Sequence, residues 1–195
     1  MEPNAALILV DVQNDFCPGG ALAVKDGDQV VPVLNRYIKK FAEAGLPIVA
    51  TRDWHPENTR HFVSGGGIWP RHCVQGTEGA NFHCQLAIDS HVIVVSTGES
   101  PDADGYSGFD AVTRDKTRLG DFLHARGIRR LYVGGLATDY CVKHTVLDGL
   151  KAGFEVVILE GAIRGVNLQP DDSKHAMEEM LRAGAEMEAE NSANS

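Results

Sequence analysis

The chain lacks any long apolar run. Its longest early one, Ala5 to Val10, ends at Asp11 and is far too short for a signal peptide or a membrane span. A basic surplus is missing as well. The formal net charge is −9 at pH 7, and Lys and Arg are scattered with no basic tail, which argues against nucleic acid or an anionic membrane as partner. Cysteine is sparse: Cys17, Cys73, Cys84 and Cys141 include no CxxC pair. A chain of 195 residues can bury a core without disulfide staples, so the expectation is reduced thiols in the cytoplasm.

What is present is an ordinary globular composition, 43% hydrophobic and 23% charged, expected to form one domain over residues 1–195. Short apolar runs alternate with helical patterns, which predicts an α/β fold, a doubly wound, mostly parallel sheet with helices on both faces. The expected strands are Ala5 to Val10, Pro47 to Thr51, His91 to Ser96, Arg129 to Val133 and Glu155 to Leu159, with a short edge strand near Ala185 to Met187. Val30 to Ala44 carries Val30, Val33, Leu34, Tyr37, Ile38 and Phe41 at helical spacing. Further helices are expected over Asp115 to Arg126, Asp139 to Ala152 and Pro170 to Ala183, and the polar tail from Ala189 to Ser195 is expected to fray. Two stretches, Asp53 to Ala87 and Gly98 to Thr113, are longer than the roughly 12–15 residues usual for structureless loops in a compact domain, which marks them as functional.

In doubly wound sheets, ligands bind beyond the carboxyl ends of the strands, near the point where strand order reverses. Asp11 follows the first strand, Asp53 and His55 the second, Thr97 the third, and the segment Gly134 to Cys141 the fourth. If the first and fourth strands flank the reversal, Asp11 and Cys141 face each other. Cys141 would then sit near a helix N-terminus, where the dipole favours a thiolate, and Asp11 could take its proton. Backbone N–H groups of Cys141 and of the Gly134 to Ala137 turn could hold an oxyanion. By position alone, an inert packed thiol is a slightly better reading of Cys141.

Asp53-Trp54-His55, with His61 and His72 in the following loop, offers one carboxylate and three imidazoles, a set suited to Zn²⁺, Fe²⁺ or Mn²⁺. His83, His91, His124, His144 and His175 show no such arrangement and read as surface or packing residues. Phe16, Trp69 and Tyr106 fall in the rim loops, as an aromatic box for a flat ring or as loop anchors.

Three segments together resemble a known family. They are Leu9-Val10-Asp11-Val12-Gln13-Asn14-Asp15-Phe16, Thr51-Arg52-Asp53-Trp54-His55-Pro56 with Trp69-Pro70-Arg71-His72, and Gly135-Leu136-Ala137-Thr138-Asp139-Tyr140-Cys141-Val142. The resemblance is to the nicotinamidases (pyrazinamidases) of the isochorismatase-like cysteine hydrolase superfamily, and it runs from about residue 5 to residue 185. It implies hydrolysis of nicotinamide to nicotinate and ammonia, with Cys141 as nucleophile, Asp11 as proton shuttle, and Ala137 with Cys141 as oxyanion hole. It also implies a divalent metal, zinc first with iron or manganese as alternatives, on Asp53, His55, His61 and His72. Phe16, Trp69 and Tyr106 would wall the ring, and Leu136–Ala137 would be a cis peptide. The partner expected is a small-molecule amide, and assembly into a homo-oligomer is left open.

One position departs from the family pattern. Thr97 stands where the family carries a catalytic lysine, and lysine is absent between Lys40 and Lys116. Loss of that cation is expected to raise the pKa of both Asp11 and Cys141. Two alternatives therefore stand beside nicotinamide hydrolysis: hydrolysis of another small amide, and a catalytically silent ligand- or metal-binding homologue.

Overall fold

The computed structural model describes residues 2–189. Six strands, all parallel, form one sheet: β1 (Ala5–Val10), β2 (Ile48–Asp53), β3 (Ile93–Thr97), β4 (Arg130–Leu136), β5 (Glu155–Arg164) and β6 (Glu186–Glu188), in the order β3-β2-β1-β4-β5-β6. The order reverses between β1 and β4, so the ends of these two strands open the crevice expected to hold the site.

Every residue of β1 is buried, as a strand covered on both faces requires. Ala5, Leu7 and Leu9 point into a core layer with helix α1 (Val30–Glu43), which contributes Val30, Val33, Leu34, Tyr37, Ile38 and Phe41. Ala6, Ile8 and Val10 point the other way, onto α2 (Leu119–Ala125), α3 (Lys143–Lys151) and α4 (Asp172–Arg182), through Leu119, Leu123, Val146 and Met180. At the seam, Gly135 adopts φ +133, and a Cβ there would lie 2.0 Å from the Val10 carbonyl oxygen. Only glycine lets β4 approach β1 so closely.

Some boundaries move. Helix α2 begins at Leu119 rather than Asp115, because Thr113 to Thr117 closes its own turn through Thr113 N–H to the Thr117 carbonyl at 2.8 Å. The helix expected from Asp139 starts as a π-helical turn, Thr138–Val142, closed by Val142 N–H donating to the Ala137 carbonyl at 3.1 Å. Regular α3 follows at Lys143, so Cys141 lies in the π turn ahead of the α-helix. Strands β4 and β5 run three and five residues past their expected ends, to Leu136 and Arg164. Of the tail expected to fray, residues 190–195 lie outside the described residues. No described helix is long and apolar enough to cross a membrane, and all four cysteines are free.

Candidate functional site

Asp11, one residue beyond β1, is buried with φ +47, and its carboxylate lies beside Thr51 of β2 and Cys141 of the π turn. One oxygen of Asp11, one of Asp53 and the Cys141 sulfur lie within 4.8 Å of one another, all buried. The thiol and carboxylate are thus brought together across the seam between β1 and β4. The Thr51 hydroxyl donates to Asp11 Oδ1 at 2.6 Å.

Burial, then the Asp53 charge, push the Asp11 carboxyl up to about 8, against smaller lowering by hydrogen bonds from Thr51 and Cys141. Burial and the two carboxylates Asp11 and Asp53 raise the Cys141 thiol well above its usual value. Both shifts run in the direction expected from Thr97, with burial and neighbouring carboxylates as their leading causes. The helix dipole expected to favour the thiolate is outweighed by desolvation and like charge.

Beside this pair, one ring nitrogen each of His55, His61 and His72 lies within 4.8 Å of the others, and all three residues are buried. Asp53 Oδ2 stands 3.5 Å from His55 Nε2 and 3.6 Å from His72 Nε2. His72 Nδ1–H donates to the Pro70 carbonyl at 2.7 Å, since a carbonyl only accepts, and this leaves Nε2 with its lone pair toward the cluster. His61 Nδ1 lies 3.4 Å from Asp104 Oδ1, which directs its other nitrogen inward. Both buried ring nitrogens of His55 lack a hydrogen-bond partner. Three inward nitrogens, one carboxylate and an orphaned buried imidazole fit a divalent transition metal. Desolvation and the neighbouring His55 hold the His61 pKa down, which favours the neutral form that a metal needs.

Phe16, Trp69 and Tyr106 line one narrow cavity with Asp53, His61 and Cys141, about 20 Å³ in volume. Trp69 Nε1–H donates to Tyr106 Oη at 2.7 Å, locking two of the three aromatics together. Ala137 also lines the cavity, and the Leu136–Ala137 peptide is cis, as the resemblance implies. A larger hollow, about 480 Å³, lies on another side of Tyr106 but gathers no such set of nucleophile, base and imidazoles.

Sequence reasoning missed Leu22, Tyr140 and Val166 in the cavity wall. Tyr140 packs edge-on against Trp69 at 4.9 Å, and its place beside Cys141 was an available signal. Val166 had none: it is set by Asp139, whose carboxylate accepts from Val166 N–H at 2.9 Å and Asn167 N–H at 2.7 Å. Gln13 was also missed. Fully buried, it bonds both backbone groups of Asp53 at 2.8 Å and the Ala80 carbonyl at 2.9 Å, fastening the rim of β2 to the first loop.

Fold and site together define a doubly wound α/β protein with a thiol–carboxylate pair at its switch point and an N₃O cluster beside it. The isochorismatase domain model matches residues 5–191, and the chain belongs to that family. A nicotinamidase of Escherichia coli (strain K12) is 47% identical over 199 residues, covering 94% of this chain and 93% of the relative. The crystal structure of a Pyrococcus horikoshii pyrazinamidase in complex with zinc superposes with a TM-score of 0.88 at 47% identity, covering 96% of this chain and 99% of that one. The crystal structure of PnC1 from L. infantum in complex with nicotinate gives a TM-score of 0.86 at 37% identity, covering 99% of this chain and 96% of that one.

Proposed function

We propose that the chain is an amidohydrolase that converts nicotinamide and water to nicotinate and ammonia through a thioester on Cys141. The observation that carries this reading is the meeting of Cys141, Asp11 and Asp53 within 4.8 Å, in a cavity walled by Phe16, Trp69 and Tyr106. Relatives that share the fold and bear nicotinamidase and pyrazinamidase names support the substrate class.

Asp11 in its carboxylate form takes the Cys141 proton, and the sulfur attacks the amide carbon. Backbone N–H groups at Ala137 and Cys141 hold the oxygen that gains the charge. Collapse breaks the C–N bond as Asp11 passes the proton to the departing nitrogen, which leaves as ammonia. Asp11 then takes a proton from water, whose oxygen attacks the thioester carbonyl, and nicotinate leaves as the thiol is restored. Phe16, Trp69 and Tyr106 hold the flat ring and exclude bulk water.

Asp53, His55, His61 and His72 would hold a divalent metal, zinc first by its fit to an N₃O set, with iron or manganese as alternatives. When bound, it would supply a Lewis-acid anchor for the pyridine nitrogen and offset the Asp53 charge that raises Asp11 and Cys141.

Ammonia release from a panel of amides, with metal content measured on the same sample, tests this reading. Release from nicotinamide is the expected result. Release only from another small amide would move the substrate, and none from any amide would make the chain a silent binding homologue.

A further inference from the structure

Position 97 ends β3 in register with Asp53 on β2. The buried Thr97 hydroxyl lies 3.1 Å from Asp53 Oδ1 and 3.3 Å from the Arg52 carbonyl, two acceptors sharing one donated proton. The other carboxylate oxygen, Oδ2, is the one that faces His55 and His72. The Asp53 carboxylate is therefore divided, one oxygen to a hydroxyl and one to the imidazoles. Its main chain is already fixed by Gln13, which makes Thr97 the side-chain partner that sets the carboxylate's rotation.

The next residue adds to this. Gly98 has φ +65, and a Cβ there would lie 2.5 Å from His55 Cε1, so the chain leaving β3 presses directly on a second member of the cluster. The end of β3 packs on the metal side of the site.

We propose that Thr97 is a positioning residue of the metal centre: its hydroxyl holds Asp53 Oδ1 so that Oδ2 stays aimed into the imidazole cluster, and this strengthens divalent-metal binding. The inference rests on reading Asp53, His55, His61 and His72 as the metal ligands. Position 97 then serves the metal in this chain, in place of supplying a cation to Asp11 and Cys141. Outer partners of this kind orient a ligand and tune its basicity, and their loss commonly weakens metal binding about 10- to 100-fold.

The test is zinc affinity of the metal-stripped full chain, by competition with a chromogenic chelator, for the parent, Thr97→Val and Thr97→Ser. Thermal unfolding of each stripped protein serves as the control for folding, with Thr97→Ala replacing the valine variant if that one does not fold. The expected result is zinc bound about 10- to 100-fold more weakly by Thr97→Val, and near-parent affinity in Thr97→Ser, which keeps the hydroxyl. With cobalt as the probe, the visible spectrum should change in Thr97→Val and remain parental in Thr97→Ser. Parental affinity and spectrum in a folded Thr97→Val or Thr97→Ala overturn the proposal. A parent that binds neither zinc nor cobalt overturns the metal reading itself, a separate and distinguishable failure.

Discussion

The Thr51 hydroxyl donates to Asp11 Oδ1 at 2.6 Å, a bond between β2 and the residue beyond β1, and the same hydroxyl receives the Asp11 N–H at 3.3 Å. It favours the charged form of a carboxyl that burial and the Asp53 charge, even against this bond, hold up at about 8. Thr51→Val removes the donor and keeps the shape. Because Asp11 must be ionised to accept the thiol proton, the rising limb of the pH–rate profile should move to higher pH. A hydrogen bond to a charged group is worth about 1.5–3 kcal/mol, so amide hydrolysis at neutral pH should fall roughly 10- to 100-fold. The profile of kcat/KM against pH for both proteins checks this.

Asp11 also makes a pH-dependent contribution to stability. Its folded value, about 8, lies above the ordinary 3.8, so between these values the folded chain holds a proton that the unfolded chain has released. The contribution of Asp11 to the stability of the metal-stripped protein should therefore decline as pH rises from about 4 to about 8, and level off above that. Asp11→Asn cannot ionise and should flatten the decline, raising Tm at pH 8 while abolishing activity. In a chain of this length about 1 kcal/mol corresponds to roughly 2–4 °C, which calorimetry across pH resolves.

The pair of bonds from Val166 and Asn167 to Asp139 should act on substrate binding more than on chemistry. Asp139 sits in the same π turn as Cys141, and it pins the connection that carries Val166 into the cavity wall. Asp139→Ala leaves two backbone N–H groups without their acceptor and should cost about 1–3 kcal/mol of stability. KM should rise by about tenfold, with a smaller change in kcat, because the nucleophile and base remain while one wall is loosened. Denaturant unfolding and steady-state kinetics on the same preparation measure both.

Much of this was legible in the residues. The apolar run Ala5 to Val10 and the spacing of Val30 to Phe41 located β1 and α1, because burial on both faces and on one stripe leave different periodicities. Asp11, Asp53 and His55 were found because strand ends define the rim of a doubly wound sheet. Thr51, Gln13 and Thr97 were not read as partners of Asp11 and Asp53, since their bonds depend on register between strands distant in sequence. The π turn was hidden for another reason. Residues 138–142 have the spacing of an ordinary helix start, and only the Val142-to-Ala137 bond distinguishes it.

The central claim is an acyl group on Cys141. Acid quench of the protein during turnover of nicotinamide, followed by mass spectrometry of its peptides, reads this directly. The expected result is a nicotinoyl thioester on the peptide containing Cys141, absent from Cys141→Ala, which should fold, bind metal and release no ammonia. Steady turnover with no adduct at Cys141, and ammonia release surviving in Cys141→Ala, would contradict the account.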